Sequence, residues 1–333
     1  MLAEANGAPD AVRTLLDRAE FDRIGTRLRA LAPRLVATSA RGSSDHAATF
    51  AKYLIETRTG IPTTSAAPSI TSLYRTQLLL KDALFLVISQ SGASPDLVLA
   101  AQEAKRAGSY VLALVNAPNA PVLQYANDIA PLSAGEERSV AATKSFIASL
   151  AAIIGLVAHW IEDRKLIEAL ATAPNQLRDA AALDWSAAAP ALIKAQSIYV
   201  IGRGLGFGVA CEAALKFKET SRIHAEAFSG AELRHGPLAL VGPGFPVLLL
   251  AQSDATRDSV AELAADLAHR GADVFLAGAS AEGATTLPTL DAHSALQPML
   301  VTQTLYRLAH DVALARGCDP DRPQHLEKVT ETL

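Results

Sequence analysis

Short apolar runs recur along the chain at Leu35 to Thr38, Ala83 to Ile88, Tyr110 to Val115, Ser197 to Ile201, Pro246 to Leu250 and Asp273 to Ala277. Between most of them lie segments of roughly ten to twenty residues whose apolar positions follow helical spacing. Short apolar strands alternating with amphipathic helices predict an α/β fold, with parallel sheet covered by helices on both faces. The most apolar stretch, from about Ser145 to Trp160, reads as a buried core helix, since no apolar run reaches the length a bilayer span needs.

The two halves of the chain resemble each other. Gly42 in SARGSSDHAATFAKYLIE corresponds to Gly204 in VIGRGLGFGVACEAALKFKE, and Ser91 in LVISQSG to Ser253 in LLLAQSD, both at an offset of 162 residues. Gly108 before SYVLALV matches Gly271 before ADVFLAG at an offset of 163. Two copies of one α/β unit follow. The linker is expected between Ile161 and Trp185, where a proline and a shift in polarity interrupt the pattern.

Composition narrows the function classes. A chain of 333 residues, half of them hydrophobic, can bury a large core and favours two domains. A formal net charge of −4 without any dense Lys/Arg run argues against a nucleic-acid partner. Cys211 and Cys318 stand in no disulfide framework or metal-ligand spacing and are expected as buried thiols. The N-terminus MLAEANGAPD lacks the pattern of a secretory leader, so a cytoplasmic protein with no membrane partner is expected.

Candidate chemistry concentrates in EAALKFKETSRIHAEAFSGAELRHGP, Glu212 to Pro237. Glu212, Lys216 and Glu219 share a helical stripe, and His235 follows beside a glycine. A carboxylate, an ammonium and an imidazole together can move protons near neutral pH. A helical wheel sets Ala210, Ala213, Ala214 and Phe217 as the apolar stripe, with the charges roughly opposite. The charged stripe is therefore expected to face water or another subunit, and an i,i+4 Glu–Lys pair is also ordinary decoration of a solvated helix.

Gly/Ser loops end two strands of the first copy, ATSARGSS before a helix near Asp45 and SQSGAS before a helix at Pro95. Ser94 is the expected N-cap, Pro95 the first helical residue and Asp96 lies in the first turn. Ordinary caps account for one hydroxyl each. Here Ser43, Ser44, Ser89, Gln90, Ser91 and Ser94 gather at the carboxyl ends of neighbouring strands, where open parallel sheets bind ligands. Hydroxyls with free N–H groups at helix N-termini suit a phosphate. A Walker lysine is missing and GRGLGFG has the wrong spacing for a dinucleotide, so a sugar-sized phosphate fits best.

The ordered motifs RGSSDHA, SQSGASPD, SVAATKSF, EAALKFKE, ELRHGPLAL and DPDRPQHLEKVTETL resemble the double sugar-isomerase (SIS) module of glucosamine-6-phosphate synthases, over about residues 20 to 333. The resemblance implies two tandem SIS subdomains, each a three-layer, flavodoxin-like parallel sheet flanked by helices. The implied limits are a helical lead-in over 1–24, subdomains over 25–165 and 185–316, a linker over 166–184 and a catalytic tail over 317–333. The synthases carry a glutaminase domain. This chain is expected to lack one and to resemble the stand-alone deaminases, to which its ending KVTETL is closer.

The same resemblance implies roles residue by residue. Ser43, Ser44, Ser89, Gln90, Ser91 and Ser94 would bind phosphate and sugar hydroxyls, and Val140 and Ala142 would contact the sugar, Ala142 replacing a serine. Arg41 stands where the synthases have cysteine. Glu219 would shuttle a proton between C1 and C2, Lys216 would lie near the reacting hydroxyl, and His235 would open the ring, entering from a partner subunit in a homodimer. Lys328 would form a Schiff base with an open-chain ketose or close the site with the tail. Thr143 and Lys144 either join the site or simply begin the core helix; His46, His159 and His310 are read as structural.

The implied activity converts glucosamine 6-phosphate and water to fructose 6-phosphate and ammonia, with no cofactor or metal. A galactosamine-6-phosphate deaminase, a fructosamine-6-phosphate deglycase and a non-catalytic sugar-phosphate-binding regulator remain alternatives. Because GRGLGFG has lost the serines of its counterpart, chemistry is expected at the first copy's cradle alone.

Overall fold

All six apolar runs become strands within a residue or two of their expected limits, and four further strands join them. The computed structural model describes residues 1–328. In the first sheet, β1 (Val36–Ser39), β2 (Thr63–Ser65), β3 (Leu84–Ser89), β4 (Tyr110–Val115) and β5 (Asp128–Pro131) run in the order β2-β1-β3-β4-β5, all parallel. The central strands β1, β3 and β4 are almost wholly buried, as runs without polar alternation must be. Helices α1 (Phe21–Leu31), α2 (Ser43–Thr59), α3 (Pro95–Arg106) and α4 (Lys144–Trp160) accompany this sheet. Every residue of α4 from Ser145 to Trp160 is buried except His159, which bears out the core helix read from the sequence.

Next comes α5 (Arg164–Ala181), an amphipathic helix with Pro174 inside it. It occupies most of the stretch read as a linker. The proline and the polarity change mark a surface helix with one buried stripe, Leu166, Leu170, Ala173 and Leu177, rather than a loop.

The second sheet repeats the first. Strands β6 (Ser197–Gly202), β7 (His224–Ser229), β8 (Pro246–Leu250), β9 (Asp273–Ala277) and β10 (Thr285–Leu287) are parallel in the order β7-β6-β8-β9-β10, the same topology strand for strand. Helices α6 (Gly206–Ser221), α7 (Arg257–His269) and α8 (Gln297–Ala315) accompany it. The paired glycines match in conformation too: Gly42 and Gly204 have φ of 55° and 59°, Gly108 and Gly271 of 87° and 83°. At such backbone angles a side chain is strained, which is why the repeat keeps glycine there.

By contact, the chain divides into two compact units. One comprises Asp10–Glu137, Lys144–Ala171 and the C-terminal residues Glu327 and Lys328; the other comprises Met1–Pro9, Arg138–Thr143 and Thr172–Leu326. Among the described residues, no helix is long and apolar enough to cross a membrane. Both cysteines are half-buried rather than buried, Cys211 on α6 and Cys318 just beyond α8.

Candidate active site

In the first unit the two Gly/Ser loops follow the neighbouring strands β1 and β3. Helix α2 begins at Ser43, two residues before the expected start, because Gly42 makes the turn and its carbonyl already accepts the Asp45 N–H at 2.9 Å. Ser43, Ser44, Ser89, Gln90, Ser91 and Ser94 are all half-buried. Pro95 opens α3 as expected, yet Ser94 makes no side-chain cap bond.

Several backbone N–H groups of this region already have partners. Pro95 has no N–H, and Leu97 N–H donates to Asp96 Oδ1 at 2.7 Å. In the loop, Gly92 N–H donates to Ser89 Oγ at 2.9 Å and Ala93 N–H to Ser91 Oγ at 3.3 Å. A hydroxyl oxygen that accepts from the backbone keeps its own hydrogen for another acceptor. The cradle thus offers hydroxyl donors, fixed in direction by the loop itself.

The second-sheet counterpart is closed. Gln252, at the place of Gln90, turns its amide inward: Nε2, with two hydrogens to donate, lies 2.8 Å from Arg203 O, 2.9 Å from Asp254 Oδ2 and 2.8 Å from Thr256 Oγ1. Asp254 stands where the first copy has Gly92, and a carboxylate there repels an anion.

Lys328 lies in the same unit as the open cradle. Its Nζ is 3.4 Å from Glu137 Oε2, and the Glu137 carboxylate also accepts from Ser145 at the start of α4, from N–H at 3.2 Å and Oγ–H at 2.6 Å. Glu137 is buried, its side chain fully so. A buried carboxylate therefore fixes the amine of a tail residue that sequence alone would leave solvated. Neither Glu137 nor this pairing is visible in local sequence, since the partners are 191 residues apart.

The second unit holds Val140, Ala142, Lys216, Glu219 and His235. Val140 and Ala142 are half-buried in the segment before α4, and Thr143 is buried. Lys144 begins α4, and its ammonium donates to the Glu136 carbonyl oxygen. His235 ends a single 3-10 turn, Glu232–His235, and is exposed. His46 and His310 are half-buried, and burial depresses the pKa of His159.

The charged stripe of α6 is not solvated. Glu212 and Lys216 are completely buried, and only Glu219, with 19% of its side chain exposed, reaches the surface. The wheel failed because it weighs a helix against one neighbour. Here the sheet strands β6 and β7 cover one face of α6 and α8 covers another, so the charges are enclosed as well. Lys216 Nζ lies 3.3 Å from Glu212 Oε1 and 2.6 Å from Glu219 Oε2, while Tyr306 on α8 donates its hydroxyl to Glu212 Oε1 at 3.1 Å.

Burial by itself pulls the Lys216 pKa down, but the charges of Glu212 and then Glu219 outweigh it, leaving the ammonium raised above its usual 10.5. The Lys216 ammonium thus lies buried between two carboxylates. Glu219 is the one group of the cluster able to meet a ligand, and a carboxylate so placed can take up and return a proton while the adjacent ammonium stabilises negative charge.

Comparison with known proteins agrees with this architecture. The SIS domain family matches residues 33–158 and 191–281, one segment in each repeat. The isomerizing glutamine–fructose-6-phosphate aminotransferase of Symbiobacterium thermophilum is 35% identical over 97% of this chain and 55% of its own; that of Zymomonas mobilis is 32% identical over 87% and 50%. The chain thus spans about half the length of these curated relatives. Among solved structures, a proposed phosphosugar isomerase from Silicibacter pomeroyi is 40% identical, with a TM-score of 0.93 over 96% of this chain and 99% of that one. The C-terminal domain of glucosamine-fructose-6-phosphate aminotransferase from Francisella tularensis is 27% identical, with a TM-score of 0.87 over 97% and 98%. With both repeats matched in sequence and in fold, the chain belongs to the SIS domain family.

Proposed function

We propose that this chain is a phosphosugar isomerase that deaminates an amino-sugar phosphate, with glucosamine 6-phosphate and water giving fructose 6-phosphate and ammonia. The observation that carries this reading is the buried Glu212–Lys216–Glu219 cluster, which leaves Glu219 alone at the surface beside a fixed cation. Naming of relatives as isomerizing aminotransferases and as a phosphosugar isomerase supports the substrate class.

The chemistry follows from the groups. The serine hydroxyls hold the phosphate, and His235, supplied by the partner in a homodimer, transfers a proton from the anomeric hydroxyl to the ring oxygen as the ring opens. Glu219 removes the C2 proton to give an enolamine and returns a proton to C1, leaving a ketimine. The Lys328 amine, held by Glu137, attacks the ketimine carbon, ammonia departs, and water releases the ketose from the resulting Schiff base.

Ammonia release from a panel of amino-sugar phosphates tests the reading. Glucosamine 6-phosphate should be turned over with one ammonia per fructose 6-phosphate formed. Preference for galactosamine 6-phosphate or a fructosamine 6-phosphate would move the assignment to another epimer or leaving amine. Binding of all three without turnover would convert the protein to a regulator and defeat the proposal.

A further inference from the structure

The cradle's serines meet a doubly charged phosphate with neutral donors only, but one cation stands at its edge. Arg41 immediately precedes the Gly42 turn, and its Nε and Nη2 donate to Asp96 Oδ2 at 3.1 and 2.5 Å. Arg41 belongs to the loop after β1 and Asp96 to the first turn of α3 after β3, so this fork ties the two halves of the cradle together. The pair is asymmetric in its exposure. The Asp96 side chain is fully buried and its Oδ1 is engaged by Leu97 N–H, whereas the Arg41 side chain is 48% exposed. What the pair shows to solvent belongs to Arg41.

The second repeat supplies the contrast. Arg203, 162 residues after Arg41, sends Nη1 to Ser259 Oγ at 3.0 Å, and the loop it borders is filled by Gln252 and Asp254. The arginine is anchored on a buried carboxylate where the loop is left open.

We propose that Arg41 is the cation of this cradle, held in position by Asp96, and that it recognises the phosphate dianion of the substrate. The identity of the ligand rests on the sugar-phosphate reading above, so the test uses inorganic phosphate, whose binding needs no turnover. A planar fork anchored along one edge loses little freedom when its remaining donors take up an anion.

Phosphate affinity of the full chain is measured by titration calorimetry. The wild type should bind; Arg41→Ala and Arg41→Gln should bind on the order of 10- to 100-fold more weakly, and Arg41→Lys should fall between. The Arg41→Gln variant keeps the bulk of the side chain and guards against a folding defect in the alanine variant. Adding Asp96→Asn to Arg41→Ala should leave binding weak, since the cation is still missing. Full recovery in that double variant would overturn the proposal, because Arg41 would then only neutralise Asp96. Equal affinity in wild type and Arg41→Gln would overturn it while leaving the sugar-phosphate reading intact. No phosphate binding by the wild type would defeat both.

Discussion

Replacing Glu219 by Gln should lower turnover by roughly 100- to 10,000-fold, the range spanned by removal of a positioned general base. Glutamine keeps the size of the side chain and an amide oxygen that can still accept from Lys216 Nζ, which donates to Glu219 Oε2 at 2.6 Å, so the fold and the cradle should be untouched. Phosphate affinity measured by calorimetry should therefore stay at the wild-type value while ammonia release collapses. Retained turnover would remove Glu219 from the mechanism. The same variant examines the partner's role. If His235 is supplied across a homodimer, mixing inactive Glu219→Gln with inactive His235→Ala subunits should restore roughly a quarter of wild-type activity, as statistical exchange yields one intact site in half of the dimers.

Lys216→Met should strongly destabilise the second unit. It takes the Lys216 ammonium away from the completely buried Glu212 carboxylate, which the Tyr306 hydroxyl also contacts. Breaking a buried ion pair from one side costs about 3–5 kcal/mol. Chemical denaturation should show this loss, and a second substitution, Glu212→Gln, should recover much of it by removing the stranded charge. A loss under about 1 kcal/mol would contradict the pairing. The pH dependence follows with a definite sign. The Lys216 pKa is raised in the folded chain, so its contribution is fully present below about 10.5, the value in the unfolded chain, and is lost as pH rises through the higher folded value.

The parts of the fold that could be read from sequence were those where local pattern and burial coincide. β3, β4 and β8 are apolar at nearly every position because helices cover both faces, so they stand out as runs. The four strands that escaped detection are short or mixed in polarity: Thr63–Ser65, Asp128–Pro131, His224–Ser229 and Thr285–Leu287. All four lie at sheet edges and pair on one side only, where partial exposure permits threonine and acidic residues. The candidate site divides in the same way. The hydroxyl residues of the cradle were visible as loop composition at strand ends. Which of their atoms are spent on the backbone was not, because that depends on the loop's path. The burial of Lys216 was hidden for a different reason: the covering helix, with Tyr306, comes 94 residues after Glu212. Glu137 escaped notice because its partner, Lys328, is remote in sequence.

Glu219, as the proposed base, breaks the carbon–hydrogen bond at C2 of an amino-sugar phosphate. Glucosamine 6-phosphate carrying deuterium at C2, incubated with the wild-type chain and followed by magnetic resonance, tests it most directly. Fructose 6-phosphate and an equal amount of ammonia should form, with the deuterium transferred to C1 or lost to solvent. A deaminated product that keeps its deuterium at C2, or a sugar phosphate that is bound and left unchanged, would contradict it.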